Sequence, residues 1–232
     1  LDVGVTICED AWQHCGATPN DYDSDPIAQI VEWGRQGVVL HATVNLSASP
    51  YHSDKSGTRI AVARSAAASL NHPFLLANQV GGNDDLLFDG RSIIAWPDGR
   101  AVVAPAWTEG VLMTDLYNPE ECSWLGEGDV TILQSGQELE ETADDLLDAI
   151  IIGLSDYCRK SGISKIVLGL SGGIDSALAA CIASSAVGPE NVTGISMPSR
   201  HSSQHSIDDA KATADALGIN FQMQPISDLH DS

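Results

Sequence analysis

The chain has 232 residues, with 32 Asp and Glu against 11 Lys and Arg, a net charge of −21 and 43 % hydrophobic residues. That is enough apolar content for real cores, and it excludes a disordered acidic tail. Strong negative charge also argues against a nucleic-acid or anionic-membrane partner, and no apolar run approaches the ~20 residues of a membrane-spanning helix. The acidic balance is one seen where a surface must stay hydrated in high salt; a plainly soluble, acidic protein is the simpler reading. Cys8, Cys15, Cys122, Cys158 and Cys181 are odd in number and scattered, without C-x-x-C or zinc spacing. Reduced thiols in a cytoplasmic protein are expected.

The sequence opens inside an apolar stretch, Val3, Val5, Ile7, and closes just after another, so it reads as an internal segment of a longer polypeptide. Strands are expected at 2–8, 38–46, 74–80, 92–97, 101–106 and 111–116, and helices at 26–36 and 56–70. Pro97-Asp98-Gly99 between two apolar runs marks a hairpin turn. No Lys or Arg occurs between Arg100 and Arg159, and residues 119–137 are polar and aperiodic, which predicts a linker there. Beyond it, Leu139, Ala143, Leu146, Leu147, Ile150, Leu154 and Tyr157 recur at helical spacing, with Arg159-Lys160 in the last turn. Strand 165–170, helix 174–187, strand 192–197, helix 206–217 and strand 220–226 follow. Alternation of this kind predicts a parallel, doubly wound sheet. The chain is thus divided into 1–118, a linker at 119–137, and 138–232.

Two places carry chemistry. Strand Lys165–Leu170 runs into Ser171-Gly172-Gly173-Ile174-Asp175-Ser176, which opens an apolar helix. The backbone N–H groups of such a turn converge with a helix N-terminus on one anion. Gly172 and Gly173 allow close approach, and Ser171 and Ser176 offer hydroxyls. Asp175 in an anion site calls for a cation: it orders the loop or reaches a Mg2+ shared with phosphates. The loop lacks the Lys of a P-loop and the spacing of a dinucleotide fingerprint. Arg200, just past the second strand, is one of few cations in this half and has phosphate or carboxylate as its natural partner. The second place is Cys8, at the end of a β-branched strand and on a turn toward a helix, where a thiol can be a nucleophile or an inert core residue.

S-G-G-x-D-S after a hydrophobic strand resembles the pyrophosphate loop of the ATP pyrophosphatase superfamily. Met197-Pro198-Ser199-Arg200-His201-Ser202-Ser203-Gln204 through Asp209-Ala210 resembles the corresponding stretch of NAD synthetases that take ammonia from glutamine. Cys8-Glu9-Asp10-Ala11-Trp12 resembles the nucleophile motif of nitrilase-type amidases. Asn45 to Tyr51 with Lys55 and Arg59, Asn78 to Asp84, and Phe88-Asp89-Gly90-Arg91-Ser92 continue that match in order. The resemblance covers residues 1 to about 226.

It implies an α/β chain: the C-terminal part of a nitrilase-like αββα sandwich, the glutaminase, followed by the first part of a doubly wound parallel-sheet nucleotide-binding domain, the synthetase. It implies Cys8 as nucleophile, Ser49 and Lys55 as glutamine-binding residues, and Gly169, Leu170, Ser171, Gly172, Gly173, Ile174, Asp175, Ser176, Arg200 and Gln204 as the nucleotide site. Gln204 takes the position of a residue that contacts the ATP base, and Asp175 that of a metal ligand. The implied reaction uses ATP and Mg2+ to amidate deamido-NAD with ammonia from glutamine. Beside it, the exposed faces of two partial domains lead us to expect a homo-oligomeric parent protein, and the acidic charge no nucleic-acid or membrane partner. The family's catalytic Glu and Lys both precede the Cys, and only seven residues precede Cys8, so the segment by itself is expected to be inactive. Other ATP-pyrophosphatase amidotransferases, a nitrilase joined to a nucleotide-binding module, and a non-catalytic binding module are the alternatives.

Overall fold

A computed structural model describes residues 1–18, 22–200 and 202–226. The chain forms two compact units, Leu1–Leu146 and Leu147–Ser232. In the first, β1 (Val3–Ile7), β2 (Ala42–Ser47) and β3 (Phe74–Asn78) run parallel, and β6 (Ile93–Ala95), β7 (Ala101–Val103) and β10 (Thr131–Leu133) extend the sheet antiparallel from β3. The six-stranded order is β1-β2-β3-β6-β7-β10. Two hairpins stand apart from it: β4 (Val80–Asn83) with β5 (Leu86–Asp89), and β8 (Val111–Asp115) with β9 (Asn118–Leu125).

Helices α1 (Pro26–Arg35) and α2 (Lys55–Leu70) supply the main core. α1 starts where Asp25 accepts the Ala28 N–H at 3.0 Å and Pro26 presets the first turn. α2 is rich in Ala, the best helix former, and ends at Asn71 in the left-handed region. Its Ala63, Ala66 and Ala67 are fully buried with Ile60, Phe74 and Leu76. Small side chains at those positions leave room for strand residues to fill. On the other sheet face a smaller cluster joins Ile94, Trp96 and Val102. Val5 and Ile7 are 64 % and 65 % exposed, so the apolar positions that announce β1 in the sequence are not the ones turned into the helix-covered core.

Inside this unit Arg59 of α2 and Asp89 of β5 form an ion pair in which both side chains are 0 % exposed. Ser56 Oγ donates to Asp89 Oδ2 at 3.4 Å and accepts from Arg59 Nη2 at 3.3 Å. Arg59 Nη1 also reaches the Ser49 carbonyl, at 3.5 Å.

Residues 119–137 are not the linker that their composition predicts. All of β9 but its first residue lies within that span and pairs with β8, and β10 adds an edge to the central sheet, with Leu133 in the core. β10 is three residues long, and acidic residues on the exposed positions of β9 mask its period of two. The chain passes between units within α3 (Ala143–Ser161), one amphipathic helix with Asp144 and Asp145 in its first turn and Arg159 and Lys160 in its last.

The second unit is built on β11 (Ile166–Gly169), β12 (Val192–Ser196) and β13 (Asn220–Met223), all parallel in the order β11-β12-β13. α4 (Ile174–Val187) and α5 (Gln204–Leu217) connect them, and Leu170, Ala180, Val192, Ala210, Ala214 and Ile219 form the core. The alternation expected from the sequence is present; β13 ends at Met223, and 227–232 lie outside the described residues. Among the described residues no helix is long and apolar enough to cross a membrane.

Removing one member of a buried pair leaves an uncompensated charge, at a cost of about 3–5 kcal/mol. Asp89→Ala is therefore expected to destabilise the first unit by that amount in urea unfolding, and Asp89→Asn by less.

Candidate active site: a strand-end cysteine and a glycine loop

Cys8 follows β1 directly and has φ 45°, in the left-handed region that residues with a Cβ seldom occupy. Its surroundings hold it there. Asn45 on β2, fully buried, donates to the Cys8 carbonyl at 3.2 Å and to Thr6 Oγ1 at 3.0 Å. The Ile7 N–H donates to Asp10 Oδ2 at 2.8 Å, and the Trp12 N–H closes the turn on the Glu9 carbonyl at 2.9 Å. The strand thus ends in a fixed elbow that carries a thiol.

A cavity of about 450 Å3 opens beside it, lined by Cys8, Glu9, Trp12, Ser49, His52 and Lys55 among others. Residues 41 and 47 positions beyond the thiol in sequence, Ser49 and Lys55, therefore share one cavity with Cys8, as the sequence reading expects of a single substrate site. Ser49 is 3 % exposed, and its N–H donates to Asn78 Oδ1 at 2.9 Å. Lys55 is the first residue of α2, and its Nζ lies 5.4 Å from the Trp12 ring centroid. Burial lowers the Lys55 pKa from the usual lysine value and Arg59 lowers it further, against opposing pulls from Cys8, Asp89 and Glu9. Glu9 is engaged: its Oε1 accepts from Thr18 Oγ1 at 2.5 Å and its Oε2 from the Tyr22 hydroxyl at 2.8 Å.

Asn45, Asn78 and Glu141 carry no role that the sequence alone reveals. Asn45 and Asn78 lie inside the motifs at 45–51 and 78–84, each at a strand position where a polar residue interrupts an apolar pattern. Glu141 carries no such signal.

In the second unit, Ser171 to Ser176 form a turn between β11 and α4. Gly172 has φ 82°, and a Cβ there would stand 2.2 Å from the Ser206 carbonyl oxygen. The loop therefore rests against the first turn of α5 at a contact that only glycine permits. Ser171 and Ser176 serve the loop itself. Ser176 Oγ accepts the Ser171 N–H at 3.2 Å and donates to the Gly173 carbonyl at 2.9 Å, and Ser171 Oγ accepts the Gly173 N–H at 3.2 Å.

A second cavity, about 240 Å3, lies at the C-terminal ends of β11 and β12 and is lined by Gly169, Leu170, Ser171, Ser196, Ser202 and Ser206 among others. That is where ligands of parallel sheets bind, next to the N-termini of both α4 and α5. Gly172 and Gly173 shape its loop; Ile174, 83 % exposed, and Asp175 lie on the exposed start of α4. Arg200 is exposed, not held at a buried sheet edge as its position suggests, and Gln204 donates to Asp208 Oδ1 at 2.9 Å along α5. His201 lies outside the described residues.

For Mg2+, Asp175 offers one carboxylate, and among the described residues no three His, Cys, Asp or Glu side chains cluster. That donor set fits an ion carried mainly by phosphate oxygens and water, the usual mode for Mg2+, and does not fit a closed protein cage.

Residues 25–121 match the carbon-nitrogen hydrolase family and 146–232 the NAD synthase family. A glutamine-dependent NAD(+) synthetase of Synechocystis is 42 % identical across 99 % of this chain, and one of Rhodobacter capsulatus is 39 % identical across 94 %. Along nearly its whole length the chain is similar to glutamine-dependent NAD(+) synthetases. It spans 39 % and 36 % of the length of those two relatives. The solved synthetase of Acinetobacter baumannii, in complex with ADP, superimposes with a TM-score of 0.75 at 29 % identity, covering 99 % of this chain and 39 % of that one. That of Cytophaga hutchinsonii, at 18 % identity and TM-score 0.65, shares the fold. The nitrilase-like part followed by the start of a nucleotide-binding α/β part is thus the architecture of this synthetase family.

Because Gly172 combines positive φ with a backbone contact, Gly172→Ala is expected to cost about 1–3 kcal/mol, read as a lower urea midpoint of the second unit. An unchanged midpoint would show that the loop does not rest on α5.

Proposed function

We propose that this chain is the central part of an enzyme that forms NAD from deamido-NAD with ATP and glutamine-derived ammonia. The observation that carries the reading is the joining of Cys8, Ser49 and Lys55 on one cavity, in a chain that continues into a glycine loop at the end of a parallel strand.

In the first step the Cys8 thiolate adds to the side-chain amide carbon of glutamine. The tetrahedral adduct expels ammonia as its nitrogen takes up the proton that the thiol gave up, and water hydrolyses the thioester to glutamate. The αL elbow presents the thiol, and Lys55 meets the substrate's α-carboxylate while Ser49 fixes its orientation. In the second step a nicotinate carboxylate oxygen attacks the α-phosphorus of ATP and displaces pyrophosphate. Ammonia then replaces AMP on the activated carbonyl. The loop 169–176 receives the phosphates through backbone N–H groups at the start of α4, with Arg200 and Gln204 placed for the nucleotide. Asp175 would hold Mg2+, which when bound supplies charge neutralisation to the polyphosphate.

We assign Leu1–Leu146, which takes in the strands within 119–137, to the glutaminase and Leu147–Ser232 to the synthetase. The reading places the parent enzyme in the cytoplasm, consistent with free thiols at all five cysteines, and as a homo-oligomer.

In the full-length protein, Cys8→Ala is expected to abolish the glutamine-dependent rate of NAD formation and leave the ammonia-dependent rate. Asp175→Ala is expected to remove both. Survival of the glutamine rate in Cys8→Ala would make Cys8 a structural thiol, and an ammonia rate untouched by Asp175→Ala would overturn the loop assignment. The 232-residue chain alone is expected to turn over neither donor.

A lowered Lys55 pKa means that the ammonium is lost as pH rises at a lower value than for an ordinary lysine, so glutamine KM should climb early on the alkaline side. Lys55→Arg, which stays protonated, should move that climb to higher pH; an unmoved profile would separate Lys55 from substrate binding.

A further inference from the structure

Lys55 enters the Cys8 cavity from the first residue of α2, so the charge in that cavity sits wherever the helix begins. A helix start is ordinarily fixed by its own N-cap side chain. Here the N-cap, Asp54, has φ 67° and makes no side-chain cap hydrogen bond. The cap comes from far along the chain. Glu141 Oε2 accepts the Asp54 N–H at 3.0 Å, and Oε1 accepts the Ser56 N–H at 3.3 Å. Those two N–H groups flank Lys55, and a carboxylate there also meets the positive end of the helix dipole.

Arg91 holds the carboxylate in turn. Its Nη1 lies 3.4 Å from Glu141 Oε1 and donates to Ser56 Oγ at 2.9 Å, while its Nη2 pairs with Asp145. Side-chain exposures of 8 %, 12 % and 14 % for Arg91, Glu141 and Asp145 put this cluster beyond the weak regime of surface ion pairs. Burial pushes the Glu141 pKa up, but Ser56, the Asp54 N–H and Arg91 outweigh it and hold the carboxyl below its usual range. The cap is therefore an anion throughout neutral pH.

We infer that Glu141, held by Arg91, is a positioning residue that sets Lys55 against the α-carboxylate of an amino-acid amide in the Cys8 cavity. The inference rests on the glutamine reading above. Asp145, the second anchor of Arg91, belongs to the first turn of α3, whose later turns are part of the second unit. The residues that fix the start of α2 are thus those by which the chain leaves the first unit.

The test alkylates Cys8 in the full-length protein with two reagents: a glutamine-shaped diazoketone bearing the α-amino-acid end, and iodoacetamide, which lacks it. Glu141→Gln keeps one acceptor and loses the charge. It is expected to slow the diazoketone about tenfold, the scale of a lost charge-assisted hydrogen bond, to leave iodoacetamide alkylation unchanged, and to raise glutamine KM more than it lowers kcat. In a Lys55→Gln background the same substitution should add nothing, because both changes act on one contact. Equal slowing of both reagents, no slowing of either, or additive losses in the double variant would each overturn the inference. Should Glu141→Gln fail to fold, Arg91→Lys keeps the charge without the fork and is expected to show the same selective slowing; unchanged selectivity overturns the inference equally. A wild-type protein that does not prefer the diazoketone over iodoacetamide would instead sink the glutamine reading itself.

Discussion

A fully buried ion pair, Arg59 with Asp89, is the constraint around which the first unit is arranged. Two charges taken from water are tolerable only where geometry and further hydrogen bonds compensate them. That requirement fixes α2 against the β4–β5 hairpin and fixes the Ser49 carbonyl against Arg59. Both walls of the cysteine's cavity then follow: Ser49 stands on one segment tied to the pair, and Lys55 lies one helical turn before Arg59 on the same helix. The pair does not touch the reacting atoms, and its Arg59 Nε and Asp89 Oδ1 are buried without hydrogen-bond partners. A site shaped by such a pair gains orientation at the expense of stability.

Much of this was legible in the sequence. The strand-loop-helix at 165–187 announces itself through an apolar run, paired glycines and an Ala-rich helix, all local signals. The same holds for α1 and α2, where caps and periodicity agree. What failed had long-range causes. Residues 119–137 looked like a linker because β10 is too short to show a period, and its membership of the sheet depends on β7, almost thirty residues earlier. The alternation of Val3, Val5 and Ile7 announces β1, but not that Thr6 between them is buried beside the polar Asn45 of β2. Polar residues there hold the elbow at Cys8, a task that no hydrophobic pattern encodes. Glu141 was invisible for the same reason: its partners lie some 85 residues upstream.

The acidity of the chain and the anionic ligands of its proposed reaction pull in opposite directions. Bulk charge repels a nucleotide at long range, with a reach of about 8–10 Å at physiological salt. Attraction must therefore be local, and the second unit offers it as dipoles: two helix N-termini and a glycine turn beside one crevice. In the first unit the reading gives the matching task to one lysine, kept among carboxylates that are already engaged with other donors. Glu9 is held by Thr18 and Tyr22, and Asp89 by Arg59. Both pull on the Lys55 ammonium at a distance, but neither carboxylate is held against it.

The contact of Gly172 with the Ser206 carbonyl has a consequence in entropy. A glycine-rich turn standing alone would have many conformations to lose when a ligand arrives, and that loss would be subtracted from its affinity. Here the turn is braced from outside by the start of α5 and from inside by its own two serine hydroxyls, which take up the Ser171 and Gly173 N–H groups, so it has few conformations left to lose. The loop behaves as part of the scaffold, and the anion proposed for it would meet a turn whose ordering was completed when the sheet folded.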